Sequence, residues 1–142
     1  MFNKCLAICF VLLGVLVAIP GYSSDSSTCK GVEINLNSIL SSWKDSNWKN
    51  MYFFVDSKYK KKKSYPEFKK SRKRMQRISK LTDYEILSIK RSGMGSVARV
   101  RLYMLYNPQT SYSYTDKWQS KTVDVEWHMV CEKGAWHIEL PQ

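Results

Sequence analysis

Apolar residues in the first half of the chain recur at helical spacing. Leu36, Ile39, Leu40 and Trp43 lie three or four positions apart, as they do on the buried face of an amphipathic helix. The polar letters KDSN then interrupt the pattern, which resumes after them with further apolar residues at the same spacing. The pattern predicts two short helices within residues 35–55.

A further helix is predicted over residues 64–80. Ser64 and Glu67 have the spacing of a capping box, and Pro66 between them is tolerated in a first helical turn. One narrow apolar stripe follows, while the other faces are almost entirely Lys and Arg. We therefore expect this helix to lie on the domain surface with one edge buried. The stripe consists of Phe68, Ser71, Met75 and Ile78.

After Leu81 the spacing changes from helical to the two-residue alternation of β-strands. Four strands are predicted, separated by segments rich in turn-forming residues. Helices followed by a four-stranded antiparallel meander predict an α+β fold. The predicted strands cover residues 84–91, 97–106, 118–131 and 135–140.

The register of the last hairpin follows from a two-residue loop at 133–134. Apolar residues of the two strands then face one another in pairs, because strand residues alternate between faces. A slip of one residue would mix apolar and charged residues, so this register lets the sheet bury one face against the helices. The pairs are Cys131 with Trp136, Met129 with Ile138 and Trp127 with Leu140, and Val123 and Val125 extend the face.

The opposite face of this hairpin is polar and carries both histidines of the chain, His128 and His137. With Glu126 and Glu139 they have the ligand types of a zinc site. We favour a solvated strand face without a metal, because an open sheet supplies no outer groups to hold the ligands. On the same face, ion pairs are expected from Arg99 and Arg101 to Asp124 and Glu126.

The N-terminus has the three-part pattern of a secretory signal peptide. One Lys precedes fifteen uncharged residues at 5–19, and a Pro-Gly break and small polar residues follow, which predicts cleavage near Ser23. An uncleaved membrane anchor is the alternative, but fifteen residues rise only about 22 Å against a hydrocarbon core of ~30 Å. A lipoprotein is rejected because Cys29 lies too far past the apolar run. The mature protein is expected in the periplasm or outside the cell.

Cleavage would remove two cysteines and leave Cys29 and Cys131. Outside the cytosol these two thiols are expected to form a disulfide, which would stabilise the fold by about 4–5 kcal/mol on the chain-entropy model. A buried free Cys131 is the alternative. The expected layout is a signal peptide at 1–23, a tail at 24–34 and one α+β domain at 35–142.

The positive charge of the chain is concentrated in one segment. Residues 58–80 hold twelve Lys and Arg and a single acid, Glu67, whereas the whole chain has a net charge of +11. An exported patch of this kind suits an anionic lipid, an acidic glycan or an acidic protein, or else serves only as a solvated surface. Nucleic acid is not expected outside the cytosol. The candidate anion-binding residues are Lys60, Lys61, Lys62, Lys63, Lys69, Lys70, Arg72, Lys73, Arg74 and Arg77.

Two segments resemble the nuclear transport factor 2-like superfamily, which includes SnoaL-like, steroid-isomerase-like and polyketide-cyclase-like domains. SILSSWKDSNWKNMYFFVD (38–56) is similar to that fold's first two helices, and VEWHMVCEKGAWHIELPQ (125–142) is similar to its closing hairpin. The resemblance implies a bent sheet wrapped around the helices, a pocket between them, and a homodimer formed through the sheet. The implied pocket residues are Trp43, Trp48, Tyr52, Val125, Trp127, Met129, Trp136 and Ile138.

No residue matches a catalytic motif. Enzymes of this superfamily place acids or tyrosines in an apolar pocket, but the inward strand positions here are all apolar. Asp45 and Asp56 are within reach of a pocket mouth, although both suit helix-boundary roles. We therefore expect no catalytic residue, no cofactor and no metal, and we expect a non-enzymatic binding domain that uses its basic helix. The alternative is a small-ligand-binding or isomerase/cyclase-like pocket protein.

Overall fold

The computed structural model of the chain describes residues 29–107 and 118–141. These residues form four helices followed by four strands, which lie side by side in chain order as one antiparallel sheet. The arrangement confirms the predicted α+β fold. The predicted signal peptide lies outside the described residues. The elements are α1 (Val32–Lys44), α2 (Trp48–Phe53), α3 (Ser57–Lys62), α4 (Tyr65–Gln76), β1 (Ser79–Ser92), β2 (Gly95–Tyr106), β3 (Gln119–Glu132) and β4 (Ala135–Ile138).

The first two helices confirm the predicted pair. Leu36, Ile39 and Leu40 of α1 are fully buried, as their spacing predicts. The side chain of Asn47 caps α2 by accepting a hydrogen bond from the backbone N–H of Asn50 (3.2 Å). No helix in the described part of the chain has the length and apolar character needed to cross a bilayer.

Helix α3 is not predicted by the sequence pattern. Its six residues contain one apolar side chain, Tyr59, so no periodicity marks the helix. It begins where the Asp56 carboxylate accepts a hydrogen bond from the backbone N–H of Tyr59 (2.8 Å), which confirms the helix-boundary role expected for Asp56. Tyr59 packs edge-on against Phe68, with ring centroids 6.3 Å apart, and this contact holds α3 against α4.

The start of α4 is predicted correctly, whereas its end is not. The Glu67 carboxylate accepts hydrogen bonds from the backbone N–H (2.8 Å) and the hydroxyl (2.7 Å) of Ser64, as expected of a capping box. The helix stops four residues earlier than predicted, and β1 begins five residues earlier, at Ser79. The reason is long-range pairing, since Ser79 is the ladder partner of Tyr106 and tertiary contacts override local propensity.

The turn between β3 and β4 has the predicted length of two residues. Lys133 and Gly134 both have positive φ (51° and 81°), the type I′ geometry whose twist matches that of the flanking strands. The apolar face of β3 is therefore turned towards the helices, as predicted. The ladder confirms the pairs Cys131–Trp136 and Met129–Ile138.

The third predicted pair, Trp127 with Leu140, is wrong because β4 ends at Ile138. Ile138 donates its backbone N–H to the oxygen of Phe54 (2.7 Å) and accepts the backbone N–H of Asp56 (3.0 Å). The connection between α2 and α3 thus covers the outer edge of β4. Beyond Ile138 the regular ladder with β3 ends, although Glu139 still donates its backbone N–H to the His128 carbonyl of β3 (2.9 Å).

Cys29 and Cys131 form the predicted disulfide, across a sequence separation of 102. The Cys29 carbonyl also accepts hydrogen bonds from the Arg91 guanidinium (2.9 Å) and the Trp136 indole (3.3 Å). This buried anchor lies just before α1, which begins at Val32 and therefore earlier than the predicted residue 35. A disulfide of this kind is typical of proteins in oxidising compartments.

The polar face of the sheet carries the predicted ion pairs. Arg101 bonds to both carboxylate oxygens of Asp124 (2.8 and 3.0 Å), and Arg99 lies 3.8 Å from Glu126. These pairs are exposed, so each stabilises the fold only slightly. Within the described residues, no group of three or more His, Cys, Asp or Glu side chains is placed to hold a metal ion.

Candidate functional site

Helix α4 and the residue that ends it present a row of cations to solvent. Positions 69, 73 and 77 are four residues apart, and positions 70, 74 and 77 are four and three apart, which places all five on one side of a helix. All are exposed, and together with Pro66 they line one shallow groove. At a rise of about 1.5 Å per residue, the row is about 12 Å long. We call this set the basic stripe: Lys69, Lys70, Lys73, Arg74 and Arg77.

No carboxylate of the described residues forms an ion pair with the basic stripe. Glu67 is the only acid of α4, and Ser64 engages its carboxylate at the start of the helix. These hydrogen bonds hold the pKa of Glu67 below its ordinary value, because they favour the ionised form. The stripe therefore presents its positive charge to solvent and to any approaching anion.

The other cations predicted to bind anions lie in different surroundings. Residues 61–63 are exposed where α3 ends. Lys60 donates a hydrogen bond from its ammonium to the backbone oxygen of Phe53 (2.8 Å), and the ammonium lies 5.5 Å from the Tyr52 ring centroid. Burial lowers the pKa of Lys60. The fold thus holds Lys60 apart from the basic stripe.

The inner face of α4 differs from the predicted apolar stripe. Phe68 is fully buried, but the partly buried edge continues through Arg72 and Gln76, each four residues further on. The helix ends before it can bring residue 78 onto the same edge. The prediction of a buried stripe is wrong for three of its members, which are exposed: Ser71, Met75 and Ile78.

A cavity of about 150 Å³ lies beside this inner face. The end of α1, the start of α2, α4 and the first residues of β1 enclose it. Trp43, Trp48 and Leu105 contribute apolar wall, and Arg72 and Gln76 contribute polar wall. The sequence pattern marks neither Arg72 nor Gln76 as a cavity residue, because a count of apolar positions ignores polar side chains.

Two lysines at the rim of the cavity are already engaged. Lys44 pairs with Asp83, which is not part of the wall (3.3 Å). Lys80 places its ammonium 4.5 Å from the ring centroid of Trp118. The wall contains cations and no carboxylate, so its electrostatic potential favours an anion.

Arg72 is a partly buried cation of the wall and, like Lys80, has no acidic partner among the described residues. Its guanidinium lies 5.1 Å from the Phe68 ring centroid and 3.9 Å from the Met75 sulfur, and neither contact supplies negative charge. Burial lowers the pKa of Arg72, because the guanidinium has lost part of its hydration. It still remains charged at every physiological pH.

The structure distributes the predicted pocket residues over several places. Trp43 and Trp48 line the cavity, and Trp43 stacks on Trp127 with ring centroids 5.9 Å apart. Trp127 also lines a shallow groove near the end of β4, together with Val125 and Ile138. Tyr52 faces a groove between α2 and α3. The two predicted pocket residues that are packed in the core instead are Met129 and Trp136.

Neither aspartate considered for chemistry lines the cavity. Asp45 is exposed at the end of α1, and Asp56 caps α3. No acid, histidine or nucleophile forms part of the cavity wall other than the hydroxyl groups of Ser79 and Thr82. The described cavity wall therefore holds no carboxylate or imidazole that could exchange a proton with a bound ligand.

No protein-family model matches the chain, and no curated protein matches it. Solved structures do match its fold at low sequence identity. One is a SEC-C motif containing protein from Rhodopseudomonas palustris, with a TM-score of 0.60, 7% identity, and coverage of 77% of this chain and 75% of that chain.

Two further neighbours share this architecture, and the second is described as NTF2-like. A putative polyketide cyclase from Xanthomonas campestris pv. campestris matches with a TM-score of 0.51 at 10% identity, over 77% of this chain and 89% of that chain. A putative NTF2-like transpeptidase from Campylobacter jejuni matches with a TM-score of 0.51 at 11% identity, over 78% of this chain and 100% of that chain. Identities this low establish shared architecture and not shared chemistry. The chain has the nuclear transport factor 2-like fold that its two resembling segments imply.

Proposed function

We propose that this protein is an exported, non-enzymatic domain that binds a linear polyanion, such as an acidic glycan, along the basic stripe. The Cys29–Cys131 disulfide supports an oxidising compartment. Enzyme sites that use acid–base chemistry commonly place carboxyl or imidazole groups at a cavity, and the described cavity wall holds neither. The enzymes among the structural neighbours share its fold, and fold alone does not transfer a reaction.

The observation that carries the proposal is the absence of acidic partners for the stripe among the described residues. Surface lysines and arginines that pair with acids have their charge locally neutralised, as Arg101 does beside Asp124. The five cations of the stripe have no such acidic partner among the described residues. They therefore repel one another at short range. An anion laid along the helix would relieve that repulsion and gain attraction to every cation.

The shape of the stripe favours a polymer over a bilayer. A helix that lies in a membrane interface inserts an apolar face between the headgroups. In α4 the large apolar side chain Phe68 is buried in the domain, on the side opposite the cations. A narrow row about 12 Å long instead matches the repeated charges of a single chain.

A second candidate function is binding of a small ligand in the cavity. The specific observation in its favour is Arg72, a partly desolvated cation that lines the cavity and has no acidic partner among the described residues. This candidate does not depend on the stripe, because Arg72 faces inwards from the same helix.

The decisive experiment measures binding of a heparin hexasaccharide to the mature protein by calorimetry, at low and at physiological salt. Replacing the five stripe cations with Gln is expected to lower the affinity by between three and four orders of magnitude, at about 1 kcal/mol per cation. Affinity of the unaltered protein is expected to fall with salt, because added ions screen exposed charges.

A matched control removes the same charge elsewhere on the surface. Lys30, Lys49, Lys90, Lys121 and Lys133 are exposed and lie outside the stripe. Replacing these five with Gln should change the affinity far less than the stripe variant does. Equal losses in the two variants, or no binding to the hexasaccharide at low salt, would refute the proposal; tighter binding to vesicles containing phosphatidylglycerol would assign the stripe to a membrane instead.

A further inference from the structure

We propose that the cavity beside α4 is a binding site for a small, flat organic monoanion, with Arg72 holding the anionic group. This inference rests on the second candidate function, the small-ligand pocket, and is independent of the basic stripe. The ligand class follows from the size of the cavity, the charge of its wall and the aromatic side chains that line it.

The charge of the wall selects an anion. Arg72 lines the cavity, is partly desolvated and meets no carboxylate of the described residues. A guanidinium presents planar, paired donors that match a carboxylate in bidentate fashion. Its present contacts with the Phe68 ring and the Met75 sulfur supply no oxygen acceptor.

The size of the cavity limits the part of a ligand that it can hold to about one ring. Its volume is about 150 Å³, and an apolar cavity of about 150 Å³ in a protein core is sufficient for benzene. Polyketides, steroids and oligosaccharides are too large for this space. A single ring with one carboxylate, of the size of benzoate, fits.

The aromatic walls favour a flat ring. Trp43 and Trp48 both line the cavity, and Trp43 is held in place by its stack on Trp127. Indole side chains bind planar groups by offset stacking and edge contacts. Gln76, fixed by its hydrogen bond to the Ser46 hydroxyl, offers a further polar contact at the wall.

The test uses benzoate as the probe, benzamide as its neutral counterpart of the same shape, and the mature protein with its disulfide intact. Binding is followed through tryptophan fluorescence and through the indole N–H signals of Trp43 and Trp48. Benzoate is expected to bind saturably, and benzamide at least about tenfold more weakly, because a charge-assisted hydrogen bond is lost. Equal binding of the two, or no saturable binding of benzoate, overturns the proposal without any variant.

Variants then identify the residue. Arg72→Met should weaken benzoate binding at least about tenfold and leave benzamide binding unchanged, and Arg72→Lys should give an intermediate loss because it keeps the charge but not the paired donors. Arg74→Met, on the outer face of the same helix, should leave benzoate binding unchanged. An equal loss in Arg74→Met would contradict the site. The hexasaccharide affinity of Arg72→Met separates the two proposals, since it is expected to stay normal even where benzoate binding fails.

Discussion

The outer and inner faces of α4 each carry an arginine, and the two arginines lie in opposite surroundings. Arg74 on the outer face is exposed in the basic stripe, whereas Arg72, two positions earlier, is partly buried over the Phe68 ring beside a cavity. Water solvates the first guanidinium, and burial lowers the pKa of the second. The comparison shows that position on a helix, and not residue type, decides what an arginine does here.

The two faces of α4 also differ in how much they contribute to the stability of the fold. The outer face adds charges that repel one another and make few contacts, so it contributes little to the free energy of unfolding. The inner face contributes through Phe68, which contacts Tyr52, Tyr59 and the Arg72 guanidinium. Substitutions on the two faces should therefore fall into different classes.

The largest effect is expected from Phe68→Ala. Removing a fully buried ring should lower the free energy of unfolding by about 3–5 kcal/mol, because it deletes apolar contacts and leaves a void. Lys70→Ala on the outer face serves as the comparison and should change the free energy of unfolding by less than about 0.5 kcal/mol. Chemical denaturation of both variants with the disulfide intact measures the two values. Similar losses would show that the outer face also packs.

Arg72→Met is expected to behave unlike an ordinary core substitution. Replacing a partly desolvated charge that lacks an acidic partner with an apolar side chain should leave the free energy of unfolding unchanged or raise it by up to about 1 kcal/mol. The lost contact with the Phe68 ring limits the gain. Denaturant midpoints of this variant and of Arg74→Met measure the effect. A loss above about 1 kcal/mol would mean that Arg72 is a structural contact and not a binding group.

The smallest effect concerns the capping box that begins α4. Hydrogen bonds with Ser64 lower the pKa of Glu67 in the folded state. The stability that ionised Glu67 contributes to the fold is therefore complete above the unfolded pKa and is lost as the pH falls through the folded pKa. Glu67→Gln keeps a capping side chain but cannot titrate. The gap in thermal midpoint between the unaltered protein and Glu67→Gln should narrow as the pH falls below about 4.3. A gap that stays constant with pH would contradict the lowered pKa.

The parts of this fold that local chemistry determines could be predicted from the sequence. The capping box of Ser64 and Glu67, the break between α1 and α2, and the turn at Lys133–Gly134 each depend on a few neighbouring residues. The pairing of Cys29 with Cys131 could be expected because two cysteines remain once the predicted signal peptide is set aside.

The remainder depends on distant contacts that no local pattern reports. Ser79 joins a strand because Tyr106 pairs with it, and residues 54–56, far away in the sequence, cover the outer edge of β4. The cavity has the same origin, since three separate helices and β1 enclose it. The sequence identifies Arg72 as a cation. Whether its side chain faces solvent or the cavity could not be predicted without knowing where α4 ends.

The most direct test of the account is a two-ligand NMR titration of the mature protein, first with the heparin hexasaccharide and then with benzoate. We expect the hexasaccharide to shift the backbone signals of residues 69–77 and to leave the indole signals of Trp43 and Trp48 unchanged. Benzoate added afterwards should shift those two indole signals with the same affinity as in the absence of the hexasaccharide. Displacement of one ligand by the other, or movement of the indole signals with the hexasaccharide, would show that α4 does not carry two independent binding faces.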